Sequence, residues 1–220
     1  MNIYNKIIKR VIDIFLASIV LTILSPYLLL ISIILLSSGE HQIIYFQKRI
    51  GKSLKIFSIW KFTTMLKNSE NMGEGLLTVR EDPRVLPFGK FLRKTKINEL
   101  PQLINIIIGN MSIVGPRPLI YNPYDEGIGE AIYSNKPGLT GIGSIVFRDE
   151  EDLISKTNMN KTKYYENHIC PHKGELELWY KKNISFWTDF KIIFLTAWVI
   201  FFQTSKIYEK WFKDLPKRNF

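Results

Sequence analysis

The chain has 220 residues, a formal net charge of +10 at pH 7 and a single cysteine, Cys170. One cysteine excludes an internal disulfide framework and fits a location that faces the cytosol, while the plentiful apolar and aromatic residues exclude a disordered chain. The positive charge indicates an anionic partner, for which nucleic acid, phospholipid headgroups and phosphorylated substrates all qualify. A chain of this length is most simply one domain with at most a small appendage.

The first element in chain order is an apolar segment that we predict to be embedded in a membrane. Residues 14–36 carry no charge and are rich in Ile and Leu. A helix of this length, rising ~1.5 Å per residue, can cross a hydrocarbon core of about 30 Å, and the apolar region is too long for a secretory signal peptide. Residues 1–40 are therefore predicted to form a membrane anchor, and residues 41–220 the rest of the fold.

Ser25-Pro26 lies in the middle of this segment, where proline forces a helix to kink or break. Basic residues flank the segment on both sides, at Lys6, Lys9 and Arg10 before it and at Lys48, Arg49, Lys52, Lys55 and Lys61 after it. Positive charge prefers the cytoplasmic side, so we predict a re-entrant helix–break–helix hairpin that enters and leaves through one leaflet. Ser25 would then bond a carbonyl freed by Pro26. A kinked spanning helix is the alternative.

Residues 43–62 predict a small β-hairpin. Residues 43–46 and 56–62 are rich in β-branched and aromatic side chains, and Gly51-Lys52-Ser53 between them is a natural turn. Arg49 and Lys61 of this hairpin would be available to anions. The alternative is that both are solvated charges that protect an edge strand from aggregation.

Residues 89–118, GKFLRKTKINELPQLINIIIGNMSIVGPRP, combine residue types that handle phosphate. A basic, helix-like segment contains Arg93, the lone acidic residue Glu99 follows, and Arg117 stands between two prolines that fix its backbone. Arginine offers a planar fork of donors to phosphate, and a carboxylate is a hard ligand for Mg²⁺. The alternative is a surface helix, a loop and a second helix with ordinary solvated charges.

Residues 192–202 form a second apolar stretch, which is too short to span a bilayer. Aromatic side chains lie in and around it, at Phe186, Trp187, Phe190, Trp198, Phe201, Phe202 and Trp211. Such residues mixed with basic ones are typical of helices in the headgroup plane, and a buried core helix is the alternative. Together the elements predict an α+β, mostly helical fold, with a small β-hairpin and interfacial amphipathic helices around a compact core.

The chain resembles the bacterial sugar transferases, the monotopic phosphoglycosyl transferases that act on polyprenyl phosphate. Motifs in the family's order carry the resemblance: KRVID before the apolar segment with Ser25-Pro26, FQKRIG, IFSIWKFTTM, DPRVLPFGKFLRKT, NELPQLINIIIGNMSIVGPRP and KPGLTG, then FWTDFKIIFLT. The resemblance covers nearly the whole chain and is to the short, minimal form of the family.

The resemblance implies transfer of a sugar 1-phosphate from a UDP-sugar to polyprenyl (undecaprenyl) phosphate, with Mg²⁺ and release of UMP. Such a step begins the synthesis of a bacterial glycan at the cytoplasmic face of the inner membrane. Residues 41–220 would be the cytoplasm-facing catalytic domain. UDP-sugar, polyprenyl phosphate and membrane phospholipid would be its partners, with a homo-oligomer and other glycan-assembly enzymes as further expectations.

The family uses an Asp-Glu pair at the position of Asn98-Glu99, and its aspartate forms an acyl-phosphate intermediate with the sugar phosphate. Glu99 would hold Mg²⁺ or orient the nucleophile. By position, the phosphate and substrate contacts of the family fall on Lys61, Arg93, Gln102 and Arg117. The resemblance therefore assigns the catalytic pair and the phosphate contacts to the basic stretch and the hairpin.

This sequence departs from the family at Asn98, which replaces the nucleophilic aspartate. It also departs at Thr63, where the family often has arginine, and at Ser144, where it often has glutamine. A neutral amide is not a carboxylate nucleophile and binds a cation more weakly. Three accounts are open: Glu99 takes over as nucleophile, the lipid phosphate attacks directly while Glu99 holds the metal, or the reaction has been lost.

We expect retained activity, because the charged residues of the site are all present: Lys61, Arg93, Glu99 and Arg117. The alternative function is a catalytically silent membrane scaffold of a glycan-assembly complex. Binding of nucleic acid rests on the basic charge alone. No recognisable nucleic-acid motif accompanies that charge, and the apolar segment argues against it, so nucleic acid is not an expected partner.

Overall fold

The N-terminal apolar segment folds into one long helix, and the rest of the described chain packs against it as a mostly helical body with small sheets. The computed structural model describes residues 4–72, 81–124, 126–202 and 205–218. After a π-helical turn at Tyr4–Ile8, the helices and strands are α1 (Lys9–Ser37), β1 (Ile44–Ile50), β2 (Ile56–Phe62), α2 (Pro87–Lys94), α3 (Gln102–Ile108), β3 (Ser112–Val114), α4 (Glu126–Ile132), β4 (Gly138–Thr140), α5 (Ile142–Val146), α6 (Glu150–Lys156), α7 (Lys161–Tyr164), α8 (Cys170–Asn183), α9 (Phe186–Phe201) and α10 (Ile207–Trp211). The predicted mostly helical fold with a small β-hairpin is confirmed.

Helix α1 stays helical through Pro26, which corrects the predicted break. The Ser25 hydroxyl donates to the carbonyl oxygen of Thr22 at 2.8 Å. That carbonyl lies four residues before Pro26, so it is the one that the missing proline N–H leaves without a helical partner. The predicted serine bond is confirmed, and it explains how the helix continues.

The surface of α1 is apolar and largely exposed, with Ile23, Tyr27 and Leu29 each more than 60% accessible. Within the described chain it is the one helix long and apolar enough to cross a membrane, judged by length and composition alone. A helix that exposes apolar side chains on this scale needs an apolar environment or a partner. The predicted membrane anchor therefore corresponds to α1, and its re-entrant topology remains a prediction.

Both halves of α1 contact the same globular body. Near its start, the Asp13 carboxylate accepts a hydrogen bond from the Ile113 N–H at 3.0 Å, and Ala17 is fully buried beside α3. Near its end, Leu35 is 4% exposed and packs with Phe62 and Leu92. The body therefore lies along α1 on both sides of Pro26.

The predicted β-hairpin is confirmed. Strands β1 and β2 pair antiparallel from Ile44 opposite Phe62 to Ile50 opposite Ile56, so β1 extends four residues beyond the predicted run. Asn105 of α3 is fully buried and clamps β2: its side chain accepts from the Trp60 N–H at 3.0 Å and donates to the Ser58 carbonyl at 2.8 Å. This clamp fixes α3 against the hairpin.

Helix α2 and the turn after it bring Glu99 beside the hairpin. Pro87 occupies the first turn of α2, where its missing N–H costs no hydrogen bond. A Cβ on Gly89 would lie 2.3 Å from the Thr64 carbonyl oxygen, so glycine permits α2 to approach the chain that leaves β2. Lys96 then adopts a left-handed φ of 61°, which reverses the chain into a 3₁₀ turn at Ile97–Glu99.

Strands β3 and β4 form a second, parallel pair that the sequence did not predict, with Ser112 opposite Gly138 and Val114 opposite Thr140. Residues 115–118 leave the end of β3. The Gly115 N–H donates to the Thr140 carbonyl at 3.0 Å, and the Gly138 N–H donates to the Pro116 carbonyl at 2.9 Å. These bonds anchor the loop that carries Arg117.

Helix α9 has one face in the core and one face exposed. Ile192, Leu195 and Val199 are buried in the main apolar cluster with residues of α5 and α8. Aromatic side chains on the other face are 43–81% exposed, at Phe186, Trp187, Phe190, Phe194 and Phe201. Both interpretations of this stretch therefore hold for part of it: it contributes to the core and it presents an exposed aromatic surface. Its placement at a membrane interface remains a prediction.

Candidate active site

A cleft of about 1460 Å³ brings together the hairpin, the 3₁₀ turn, the loop after β3 and the start of α6. Of the predicted site residues, Lys61, Arg93, Asn98, Glu99 and Arg117 all line it. Arg49, the other hairpin cation expected to meet anions, lines it too. The residues expected to act on phosphate are thus assembled in one place, although they come from five separate parts of the fold.

Gln102 is the exception among the predicted site residues. It is the first residue of α3, is only 3% exposed, and does not line the cleft. The side chain is enclosed because α3 packs against α1 and the hairpin directly after the turn. The expectation that Gln102 contacts substrate is therefore not supported by its position, and the residue belongs to the packing beneath the site.

Glu99 forms an ion pair with Arg117, whose Nη2 lies 3.5 Å from Glu99 Oε1. Burial by itself would raise the pKa of Glu99, but the charges of Arg117, Lys61 and Lys96 outweigh it and lower the pKa to about 2. The charge of Glu99 in turn raises the pKa of Arg117. Glu99 is therefore ionised at neutral pH although its side chain is only 14% exposed.

The cations of the cleft are crowded. Burial, followed by the charge of Arg49, lowers the pKa of Lys61 to about 7, and burial with the charge of Arg117 lowers the pKa of Arg49 to about 10. Repulsion between like charges in a partly dehydrated space is relieved when an anion enters. The cleft is therefore electrostatically suited to bind a ligand with several negative charges.

Arg93 contacts the segment at residues 148–152, a part of the site that the sequence analysis did not predict. Its Nη2 lies 3.4 Å from Glu151 Oε1 at the start of α6, and residues 148–152 all line the cleft. Burial lowers the pKa of Arg148, and the negative charges of Glu99 and Glu151 act in the opposite direction. The sequence signal for this wall was the charged run FRDEED, a pattern that solvated helix starts share.

Asn98 and Thr63, two of the positions that depart from the family, also lie in the wall of the cleft. Each is 6% exposed, and neither Asn98 Oδ1 nor Thr63 Oγ1 has a hydrogen-bond partner among the described residues. A buried polar atom without a partner costs about 1–3 kcal/mol, so a ligand, an ion or water that bonded these atoms would stabilise the site.

The oxygen atoms at and beside Glu99 fit a Mg²⁺ site that has few protein ligands. The Glu99 carboxylate is charged, and the unpartnered Asn98 Oδ1 is a neutral oxygen ligand. No cluster of three or more His, Cys, Asp or Glu that could enclose a metal occurs among the described residues. Mg²⁺ commonly takes one or two protein oxygens and completes its shell with substrate phosphates and water, which suits this donor set.

The cleft does not end at the charged residues. Its lining continues to Ile193, Thr196, Val199 and Ile200 of α9, the helix whose other face carries the exposed aromatic side chains. Thr196 is held there by a 2.6 Å hydrogen bond between its hydroxyl and that of Thr140. One cavity therefore joins a cationic end to an apolar wall.

A cationic cleft of this kind, on a body that carries an exposed apolar helix, is typical of the class of membrane-associated proteins that bind anionic ligands. The chain matches the bacterial sugar transferase family over residues 4–203, and it belongs to that family. The match includes all of α1 and α9 and every cleft residue discussed above.

Curated relatives share this stretch. The UDP-glucose:undecaprenyl-phosphate glucose-1-phosphate transferase of Escherichia coli K12 is 37% identical over 199 residues, which are 88% of this chain and 40% of the relative. The undecaprenyl-phosphate galactose phosphotransferase of Salmonella typhimurium is 30% identical over 212 residues, 89% of this chain and 41% of the relative. The chain thus spans about two fifths of these relatives. The exopolysaccharide production protein PSS of Rhizobium leguminosarum is 30% identical over 202 residues, 88% of this chain and 94% of that protein.

Proposed function

We propose that the protein transfers a sugar 1-phosphate from a UDP-sugar to undecaprenyl phosphate and releases UMP. The observation that carries this proposal is a single cleft that is lined both by an ionised Glu99 among cations and by apolar residues of α9. A nucleotide diphosphate suits the cationic end, and a phosphate attached to a prenyl chain suits the passage between the two. The names of the relatives support the same reaction.

The anchor in this proposal is a re-entrant one. It is supported by the contacts of both halves of α1 with one globular body, through Asp13 on one side of Pro26 and Leu35 on the other. A helix that spanned the bilayer would carry these two residues to opposite faces, and a water-exposed body cannot pack against both. The body then lies at the cytoplasmic face of the bacterial cell membrane, where both basic flanks prefer to be.

Arg117, Arg93 and Lys61 bind the phosphates of the UDP-sugar in this account. Arg117 is paired with Glu99 and Arg93 with Glu151, so phosphate oxygens of the substrate would replace these carboxylates or share the arginines with them. Lys61 has the lowered pKa of a crowded cation and becomes more basic when an anion neutralises its surroundings. Glu99 would hold Mg²⁺, which would supply positive charge to neutralise the phosphates.

For the chemical step we propose direct displacement. An oxygen of the lipid phosphate attacks the phosphorus that bears the sugar, the bond from this phosphorus to the bridging oxygen breaks, and that oxygen leaves with UMP. Asn98 has no charge to act as nucleophile, and a carboxylate with a pKa of about 2, paired with arginine, is a weak one. In this mechanism Glu99 orients the surrounding cations and balances their charge, and it does not form a covalent intermediate with the sugar phosphate.

Release of UMP tests this function against a silent scaffold. Purified protein is incubated with Mg²⁺, undecaprenyl phosphate and either UDP-glucose, UDP-galactose or UDP-N-acetylgalactosamine, the sugars suggested by the names of the relatives. We expect release with at least one donor, and only when the lipid is present. No release with any donor, together with turnover in an Asn98→Asp variant, would identify a chain that lost the reaction through this substitution.

A further inference from the structure

We propose that Glu177 of α8 is a positioning residue for Arg117. This inference rests on the proposed function, because it concerns how the phosphate-binding arginine is held. Glu177 is 5% exposed, and its side chain lines one small cavity together with Arg117 and Gly143. The backbone N–H groups of Arg117 and Gly143 favour the ionised carboxyl and so act against the burial that raises the pKa of Glu177. It therefore joins the loop that carries Arg117 to the first turn of α5, from beneath the cleft.

The surrounding glycines make this contact sterically possible. A Cβ on Gly143 would lie 2.7 Å from Glu177 Oε1, and a Cβ on Gly141 would lie 2.3 Å from the Gly115 carbonyl oxygen. Larger residues at these positions would push the carboxyl group away or separate the two loops. The glycine-punctuated segment at residues 138–143 thus serves the approach of Glu177 to the loop after β3.

A charged neighbour links Glu177 to the cleft itself. Lys173 lies one helical turn earlier on α8, its side chain is 7% exposed, and its Nζ is 2.6 Å from Glu150 Oε2. Glu150 lines the cleft and its charge raises the pKa of Arg117. Glu177 therefore lies next to the backbone of Arg117, while Glu150 acts on the charge of its guanidinium group. Lys173 lies on the same helix as Glu177 and pairs with Glu150, so it links the two.

The protonation of Glu177 indicates which replacement should be tolerated. Burial raises its pKa to about 8, against the opposing charge of Lys173, so the neutral acid prevails at pH 7. Its Oε2 has no hydrogen-bond partner among the described residues, whereas Oε1 is the oxygen that lies closest to Gly143. Glutamine preserves an acceptor oxygen in a neutral group, whereas leucine fills the space and accepts nothing.

The experiment is a double-mutant cycle between positions 177 and 117, read out as the Kd for UDP and as kcat/KM for the active UDP-sugar. We expect Glu177→Gln to stay close to wild type and Glu177→Leu to lower kcat/KM by about 10- to 100-fold, as a small misplacement of a phosphate contact does. The Kd for UDP should rise in parallel with that in Arg117→Ala. Combined with Arg117→Ala, Glu177→Leu should add almost nothing.

Glu175→Leu on the exposed side of α8 is the matched control and should match wild type. If Glu177→Leu does not fold, Gly143→Ala displaces Oε1 from the other side and should give the same non-additive loss. Losses that multiply in the double variants, or a Glu177→Leu enzyme with wild-type parameters, would overturn the positioning role. Wild-type protein that binds UDP without turnover would contradict the proposed function alone, because the Kd cycle still decides the role of Glu177. Wild-type protein that does not bind UDP would contradict both.

Discussion

Glu99 keeps its charge in a partly buried cleft because cations surround it. Its pKa of about 2 is the outcome of Arg117, Lys61 and Lys96 prevailing over burial. Without this carboxylate, the cations around it would repel one another with less compensation, and the cleft would lose the negative charge next to Asn98. In the mechanism that we propose, the role of Glu99 is electrostatic, so the effect of its removal is predictable.

We expect Glu99→Ala to lower the rate of UMP release by at least about 100-fold, the loss typical of removing a preorganised electrostatic group. The same assay on Glu130→Ala, which alters an exposed glutamate of α4, controls for nonspecific effects. Near-wild-type release by Glu99→Ala would remove this residue from the mechanism.

We expect Lys61 to make the binding of a UDP-sugar depend on pH near neutrality. Its pKa in the free protein is lowered to about 7, so the ammonium form that attracts phosphate prevails below pH 7 and disappears above it. The diphosphate of UDP-glucose keeps its charge in this range, so its affinity should fall as pH rises, by up to about tenfold per pH unit. Calorimetric titration at several pH values measures this.

Lys61→Arg is the control for this pH dependence, because arginine remains charged throughout the range and should flatten the curve. An equal fall in affinity in the arginine variant would show that another group titrates.

How much of the site the sequence predicts depends on the kind of residue. Arg93, Glu99 and Arg117 were found because prolines, turns and isolated charges distinguish them from their surroundings. Gln102 was assigned to the substrate by its neighbours in the motif, but the start of α3 encloses it. Glu150 and Glu151 were missed because a run of charges has the same pattern whether it faces water or a cleft.

At the scale of elements, Asn105 connects α3 to the hairpin that carries Lys61. Its side chain satisfies one N–H and one carbonyl of β2, and it is fully buried. Asn105→Ala should lower the free energy of unfolding by about 2 kcal/mol or more, because two buried backbone groups lose their partner. Denaturant unfolding measures the change.

The exposed Asn110, just after α3, offers a matched alanine control for this clamp, with little expected change. A stability of Asn105→Ala equal to that of the control would show that Asn105 does not hold the hairpin.

The elements also show why local patterns predict some structure and not the rest. The β-hairpin was predicted because its strands, turn and pairing lie within 20 consecutive residues. The β3–β4 pair was missed because each strand has three residues and they are joined only through α4 and its loops. Short strands carry too little periodicity to be recognised, and their pairing is decided by the packing of the whole body.

In the whole molecule, the re-entrant anchor that we propose places both ends of α1 on one side of the bilayer. Single cysteines at Ile7 and Lys52, in a Cys170→Ser background, can be labelled with a membrane-impermeant maleimide in intact and in opened spheroplasts. Ile7 precedes α1, Lys52 follows it, and both positions are exposed. We expect protection of both in intact cells and labelling of both after opening. Labelling of only one position in intact cells would show that α1 spans the membrane.

The same arrangement explains why charge and apolar surface occur together in this chain. In the function that we propose, the basic residues serve two anionic surfaces, the phosphates in the cleft and the lipid headgroups around α1 and α9. Asp13 of α1 accepts a hydrogen bond from the Ile113 N–H, in the strand that leads to Arg117. Helix α1 is therefore packed into the same body as the cleft.

The most direct test is mass spectrometry of the lipid and of the protein after one reaction. The reaction contains the protein, Mg²⁺, undecaprenyl phosphate and the active UDP-sugar. We expect the lipid to gain a sugar phosphate, and we expect the mass of the protein to stay unchanged whether the lipid is present or omitted. A lipid of unchanged mass would contradict the transfer itself, and a protein that gains a sugar phosphate in the absence of lipid would contradict direct displacement.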